Sequence, residues 1–114
     1  MRKPNDPREL VLALLKRSQC HVQVAAVLSD DFGIHSWGWN SSGSTGLGEH
    51  AEAMTIRRAN RDRLPYSTLW VAARRRKSGN TLTAKPCLDC QSRIWRVGGV
   101  VWRDSNGVWV GDSY

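Results

Sequence analysis

The chain has 114 residues and a formal charge of +7, with 40% hydrophobic and 24% charged residues. That length makes one domain, residues 1–114, with material for a real core and no room for a second. No apolar run approaches the ~20 residues that a bilayer crossing needs, and Met1, Arg2 and Lys3 run into Pro4, Asn5 and Asp6, which reads as a cytoplasmic protein with no membrane role. The three cysteines include one Cys-x-x-Cys pair, which fits a reducing compartment better than a disulfide scaffold and leaves Cys20 as a core thiol.

Asp6 as N-cap and Pro7 at the first helical position predict a helix over 7–19, with an apolar stripe of Leu10, Ala13 and Leu14 widened by Val11 and Leu15. The β-branched run from His21 to Leu28, turn residues from Ser29 to Gly33, and a second extended stretch from Ile34 to Asn40 predict a hairpin. His21 and His35 lie on these strands without an acidic or thiol neighbour at ligand spacing, and are read as ordinary surface or packing residues.

Ser41 to Gly48 reads as a flexible linker, after which Ala51 to Asn60 holds good helix formers. His50 and Glu52 then fall in the first turn of a second helix that stops before Pro65. Ser67 to Ala73 is the best buried-strand candidate, and Arg74, Arg75, Arg76 and Lys77 form a basic exit from it. Thr81 to Lys85 leads into Pro86 and a third helix from about Cys87 to about Val97. Val100 to Trp102 and Val108 to Val110 flank Asn106-Gly107, a strong hairpin signal, so the last two strands should be antiparallel. Helices interleaved with strands give an α/β domain of three layers. Trp70, Trp95, Trp102 and Trp109 are read as packing residues, and Trp39 as divided between packing and base stacking.

Two stretches carry the chemistry. His50-Ala51-Glu52 and Pro86-Cys87-Leu88-Asp89-Cys90 supply one imidazole and two thiols, each at a helix start. A zinc ion held by three protein ligands keeps its fourth tetrahedral position open for water, the arrangement of a catalytic zinc. A structural zinc would want a fourth protein ligand, and His21, His35 and Cys20 have no helpful spacing for one. Glu52 is two residues from His50, close enough to reach such a water without being a ligand. The spacing His-x-Glu…Pro-Cys-x-x-Cys resembles the established signature of zinc nucleobase deaminases.

Taken with the element order, these residues make the chain resemble the cytidine deaminase-like superfamily across nearly its whole length. The resemblance implies a three-layer α/β/α fold: a five-stranded mixed sheet, helices on both faces and an antiparallel C-terminal hairpin. It implies His50, Cys87 and Cys90 as zinc ligands and Glu52 as the catalytic proton shuttle. Gly38-Trp39-Asn40 looks like the Gly-x-Asn of tRNA adenosine deaminases and several cytosine deaminases, which gives Asn40 a substrate contact. Trp39, Ala51 and Pro86 join it around the pocket mouth.

Zinc chemistry of this kind turns cytosine into uracil, with one carboxylate ferrying protons to the ring nitrogen and to the departing amine. The partner follows from charge. From Ala53 to Lys85 the basic residues are Arg57, Arg58, Arg61, Arg63, Arg74, Arg75, Arg76, Lys77 and Lys85, against the single acid Asp62. Such an excess suits single-stranded nucleic acid, with Arg74 to Lys77 on its phosphates. A free pyrimidine nucleoside or nucleotide substrate would need only one or two of these charges. Adenine stays in contention because the same chemistry attacks its C6, and a zinc-binding module without turnover is a third reading that the intact Glu52 opposes. The resemblance also admits a homo-oligomer.

Overall fold

The computed structural model describes residues 6–41, 50–85 and 96–113. The Ser41 to Gly48 linker beyond its first residue, the whole of Pro86 to Cys90, and Trp95 lie outside them. The first helix, α1, spans Pro7–Leu14; the Asp6 carboxylate accepts the Arg8 N–H at 2.9 Å, and Pro7 sits at its start as expected. It ends sooner than the sequence suggests, passing into a 3-10 turn at Leu15–Arg17. Its buried stripe is Val11, Leu14 and Leu15, the i, i+3, i+4 set, whereas Ala13 faces solvent.

β1 (Val22–Asp30) and β2 (Gly33–Trp39) form the expected antiparallel hairpin. Helix α2 spans Ala51–Arg58 and is followed by a 3-10 turn, Arg61–Tyr66, that contains Pro65. β3 (Thr68–Arg75) lies antiparallel to β1 and parallel to β5 (Gly99–Arg103), which pairs antiparallel with β6 (Trp109–Ser113). The lateral order is β2-β1-β3-β5-β6. A two-residue strand not anticipated from sequence, β4 (Thr81–Leu82), pairs with Ala73 and Arg74 at the end of β3 and makes the sheet six-stranded.

Of the expected third helix, Arg96 and Val97 are described, and with Gly98 they form a turn into β5. In the last hairpin Gly107 takes φ +80 and donates its N–H to the Asp104 carbonyl at 3.0 Å, while the Asp104 carboxylate accepts the amides of Asn106 and Val108, both at 2.9 Å. Asn106 keeps negative φ, so the glycine alone supplies the left-handed residue.

Strand alternation gives the sheet two apolar faces. Ala26, Leu28, Leu69, Val71 and Val100 pack with Ala51 and Leu64 on the α2 side; Ala25, Val27 and Ala72 pack with Val11, Leu14 and Leu15 on the α1 side. Trp70 and Trp109 meet edge to face at 5.9 Å on the α1 side, and Trp102 packs on the other. Cys20 is half-buried and unbridged. Among the described residues, no helix is long and apolar enough to cross a membrane.

α2 sits close on the hairpin. A Cβ at Gly38 would come within 2.8 Å of Thr55 Oγ1 and 3.0 Å of Met54 Cβ, so only glycine lets the helix approach β2 this far. The Ser36 hydroxyl donates to the Thr55 carbonyl at 2.7 Å, and the Thr55 hydroxyl donates to the Ala51 carbonyl at 2.8 Å.

At the opposite end, Arg63 grips Asp30 through two hydrogen bonds of 2.6 Å, and its guanidinium pulls the carboxyl down to about 2. Beside it, the Ser67 hydroxyl donates to the Arg63 carbonyl at 2.7 Å, so its oxygen accepts from His35 Nε2, also at 2.7 Å. That fixes the proton on Nε2 and leaves Nδ1 a buried acceptor with no partner among the described residues. Burial, and then the Arg63 charge, hold His35 below its ordinary 6.5 against the pull of Asp30.

For both groups the unfolded chain binds the proton more tightly than the folded one, so stability rises with pH. Urea midpoints should fall in two stages on acidification, first below pH 6.5 as His35 charges on unfolding, then from 3.8 towards about 2 as Asp30 protonates. Asp30→Asn should remove the lower stage.

Candidate active site

α2 opens with His50 as N-cap; its carbonyl accepts the Met54 N–H at 3.0 Å, and its imidazole does not cap the helix. Ala51 is fully buried, and Glu52 is 6% exposed in the first helical turn. A carboxylate there is favoured by the unpaired amides and dipole of the helix start. These three residues form one wall of a cavity of about 260 Å³. Asn40, directly after β2, Val22 and Val24 of β1, Ala73 of β3 and Leu82 to Lys85 complete its lining.

Asn40 is held from three directions. Its Oδ1 accepts the Val24 N–H at 2.9 Å and the Ser18 hydroxyl at 2.6 Å, and its Nδ2 donates to the Val22 carbonyl at 2.8 Å. Because an N–H can only donate and a carbonyl only accept, these partners fix which way the amide points. Both lone pairs of Oδ1 are then committed, and one N–H of Nδ2 remains for a ligand. The Asn40 backbone N–H continues the ladder to the Val24 carbonyl at 3.0 Å.

The sequence-predicted residues divide. His50, Ala51, Glu52 and Asn40 share the cavity; Cys87, Cys90 and Pro86 lie outside the described residues. Trp39 is not in the wall. Strand alternation turns it to the α1 side, where it packs near Val11 and Leu14, with the guanidinium carbons of Arg17 and Arg58 at 5.6 and 5.5 Å from its ring centre.

The basic exit of β3 divides too. Arg74 Nε donates to Gln23 Oε1 at 2.7 Å, and Arg76 Nη1 donates to the Gln19 carbonyl at 2.9 Å, so both clasp the sheet end. Arg75 and Lys77 are exposed, and Arg75 pairs in register with Val22, one alternation beyond Ala73 on the cavity's face. The wall residues that sequence reasoning missed are Val22, Val24, Ala73 and Leu82 to Lys85. Their only signal was position: strand alternation shows that a face exists but not what faces it, and Lys85 immediately precedes Pro86.

One imidazole with two thiolates is a nitrogen and sulfur donor set suited to zinc with an open position. The fit is supported by His50 and Lys85 lining the same cavity, because Cys87 is only two residues beyond Lys85 in the chain.

A family model described as the cytidine and deoxycytidylate deaminase zinc-binding region matches residues 5–102. Among solved structures, the fold is similar to a cytidine deaminase from Burkholderia pseudomallei, with TM-score 0.69, 17% identity, and coverage of 92% of this chain and 87% of that one. It is also similar to a cytidine deaminase from Mycobacterium leprae, with TM-score 0.61, 15% identity, and coverage of 91% and 88%. No curated protein matches at the level of sequence.

Asn40→Ala would strip a partner from the Val24 amide, the Val22 carbonyl and the Ser18 hydroxyl at once. It should cost about 2 kcal/mol of stability in urea unfolding, an effect independent of any substrate.

Proposed function

The chain belongs to the family of the cytidine and deoxycytidylate deaminase zinc-binding region, and from that premise we propose that it hydrolyses cytosine to uracil, taking the base from single-stranded nucleic acid. The observation that carries this reading is Glu52, buried in the wall of the cavity that His50 and Asn40 also line. Zinc binding alone gives no reason to bury a carboxylate there.

His50, Cys87 and Cys90 would hold the zinc ion, which when bound supplies a water activated for attack at neutral pH. Glu52 takes the proton released by that water and delivers it to N3 of the base as the C4–O bond forms. It then takes the remaining proton from the hydroxyl newly bonded to C4 and passes it to the exocyclic amine, so that C4=O forms as the C4–N bond breaks and ammonia leaves. The remaining Asn40 N–H donates to an oxygen of the base or its sugar. The apolar walls, Val22, Val24, Ala51, Ala73 and Ala84, keep bulk water from the ring. Lys85, in the lining, and Arg75, one alternation beyond Ala73, offer charge to phosphate, with exposed Lys77 following Arg75 in the chain.

A second reading, a free pyrimidine nucleoside or nucleotide as substrate, is favoured by the cavity volume of about 260 Å³, small for a ligand pocket. Conversion of cytosine to uracil in single-stranded oligonucleotides, duplex, cytidine and deoxycytidylate by the zinc-loaded chain separates the two. Activity on the oligonucleotide is the expected result, and turnover of the monomers alone would move the assignment to the second reading.

Glu52→Gln should lower kcat at least about 100-fold while zinc content by atomic absorption stays unchanged. Retained turnover would remove Glu52 from the mechanism. Arg75→Gln combined with Lys77→Gln should flatten the dependence of oligonucleotide binding on salt, by about 0.7 in logarithmic slope for each phosphate no longer neutralised. Arg76→Gln should register mainly as lost stability, because its guanidinium is bonded to the Gln19 carbonyl.

A further inference from the structure

β2 is an edge of the sheet, and α2 guards its outer side. Arg58 Nη1 donates to the Trp37 carbonyl at 3.4 Å, and the Trp39 N–H points to Met54 Sδ at 3.5 Å. Backbone groups that could recruit another strand are therefore already engaged at these positions, which disfavours pairing with a second copy through this edge.

The side chains here have a different character. Arg17 and Arg58 both hold their guanidinium groups against Trp39, and among the described residues neither belongs to an ion pair, in contrast to Arg8 and Arg63. A guanidinium lying against an indole uses its face and keeps in-plane N–H donors for phosphate oxygens. Two like charges gathered on one ring also repel each other, and an anion beside them relieves that repulsion. Two residues along the strand and on the same side, Trp37 is 45% exposed and lines an open cavity of about 210 Å³ with His35, Ser36 and Arg58. An exposed indole beside unpaired cations is the combination that holds unpaired bases and their backbone.

We propose that the β2 edge binds single-stranded nucleic acid, Trp37 stacking one unpaired base while Arg17 and Arg58 take the neighbouring phosphates. The proposal rests on the polynucleotide reading and extends it by giving the strand a path outside the cavity. Asn40 lines the cavity and directly follows Trp39, but Trp39 and Trp37 lie on the α1 side of the sheet, so a strand leaving the cavity would pass round the β2 edge to reach them.

Oligothymidylate tests this apart from turnover, because thymine has no exocyclic amine to lose. In fluorescence anisotropy with the full chain, Trp37→Ala should weaken oligothymidylate binding about tenfold, and Trp37→Phe should restore most of it. Arg17→Gln and Arg58→Gln should each lower the logarithmic salt slope by about 0.7. Binding of inorganic polyphosphate, which has no bases, should be the same for Trp37→Ala and the unaltered chain.

Undiminished oligothymidylate binding by Trp37→Ala overturns the proposal, as does an equal loss towards polyphosphate. So does a change from dimer to monomer in sedimentation, which would make the edge a contact between copies. If Trp37→Ala does not fold, the phenylalanine and arginine variants decide: binding by Trp37→Phe near the original strength with reduced salt slopes supports the edge, and unchanged slopes sink it. Absence of uracil from every substrate, with the Trp37 dependence intact, would end the deaminase reading and leave the binding surface standing.

Discussion

The approach of α2 to the β1–β2 hairpin is the constraint on which the arrangement depends. Gly38 removes the one Cβ that would hold the helix off, the Ser36 hydroxyl ties the Thr55 carbonyl, and Thr55 Oγ1 lies in the gap between helix and strand. With so little clearance, any side chain at position 38 would press on Thr55 and Met54. The first turn of α2 is presented to the cavity, with Glu52 buried in the wall, and its last turn reaches the outer edge of β2 with Arg58. A larger residue at position 38 would move both ends together, since an overfilled contact shifts backbone as well as side chains.

Asn40 performs a second positioning task in the same few residues. It joins the turn after α1, through Ser18, to the first residues of β1, and so ties the α1 layer to the cavity lining. A residue with three internal bonds is a poor candidate for wide recognition of a ligand, because only one N–H is uncommitted. It is a good candidate for a single fixed donor, because its direction is set before any ligand arrives and costs no ordering on binding.

Much of this was legible in the chain. Asp6-Pro7 marked the first helix, the β-branched runs marked the strands, and Asn106-Gly107 marked the final hairpin, because each of these signals acts within a few residues. The pattern around His50 and Cys87 pointed to the family for a similar reason: the chemistry requires those groups at those intervals. What was hidden depends on distant parts of the chain. Register skips His35, pairing Leu28 with Ser36 and Ser29 with Ile34, and this bulge changes which alternate residues of β2 face α1. Past the bulge the register is regular to Trp39, which pairs with Ala25 and so lies on the α1 side, behind the sheet from the cavity. Helix α1 likewise buries Val11 in place of Ala13, because the sheet face it meets, and not the widest apolar arc, decides which side turns inward.

Charge shows the same division between composition and placement. A formal +7 sums residues with unlike duties. Arg63 is committed to Asp30, Arg74 to Gln23 and Arg76 to a backbone carbonyl, so these cations hold the two ends of the sheet together. Arg75 and Lys85 belong to the cavity's end of the molecule, and Arg17 and Arg58 to the β2 edge, where Arg58 spends one long bond of 3.4 Å on the Trp37 carbonyl and keeps its other donors. The available positive charge is therefore split between two places that Asn40 and Trp39, adjacent in sequence and on opposite faces of one strand, connect. A ligand small enough for the cavity alone could meet only the first group. A strand long enough to leave the cavity and pass the edge could meet both, which is the electrostatic content of the polynucleotide proposal.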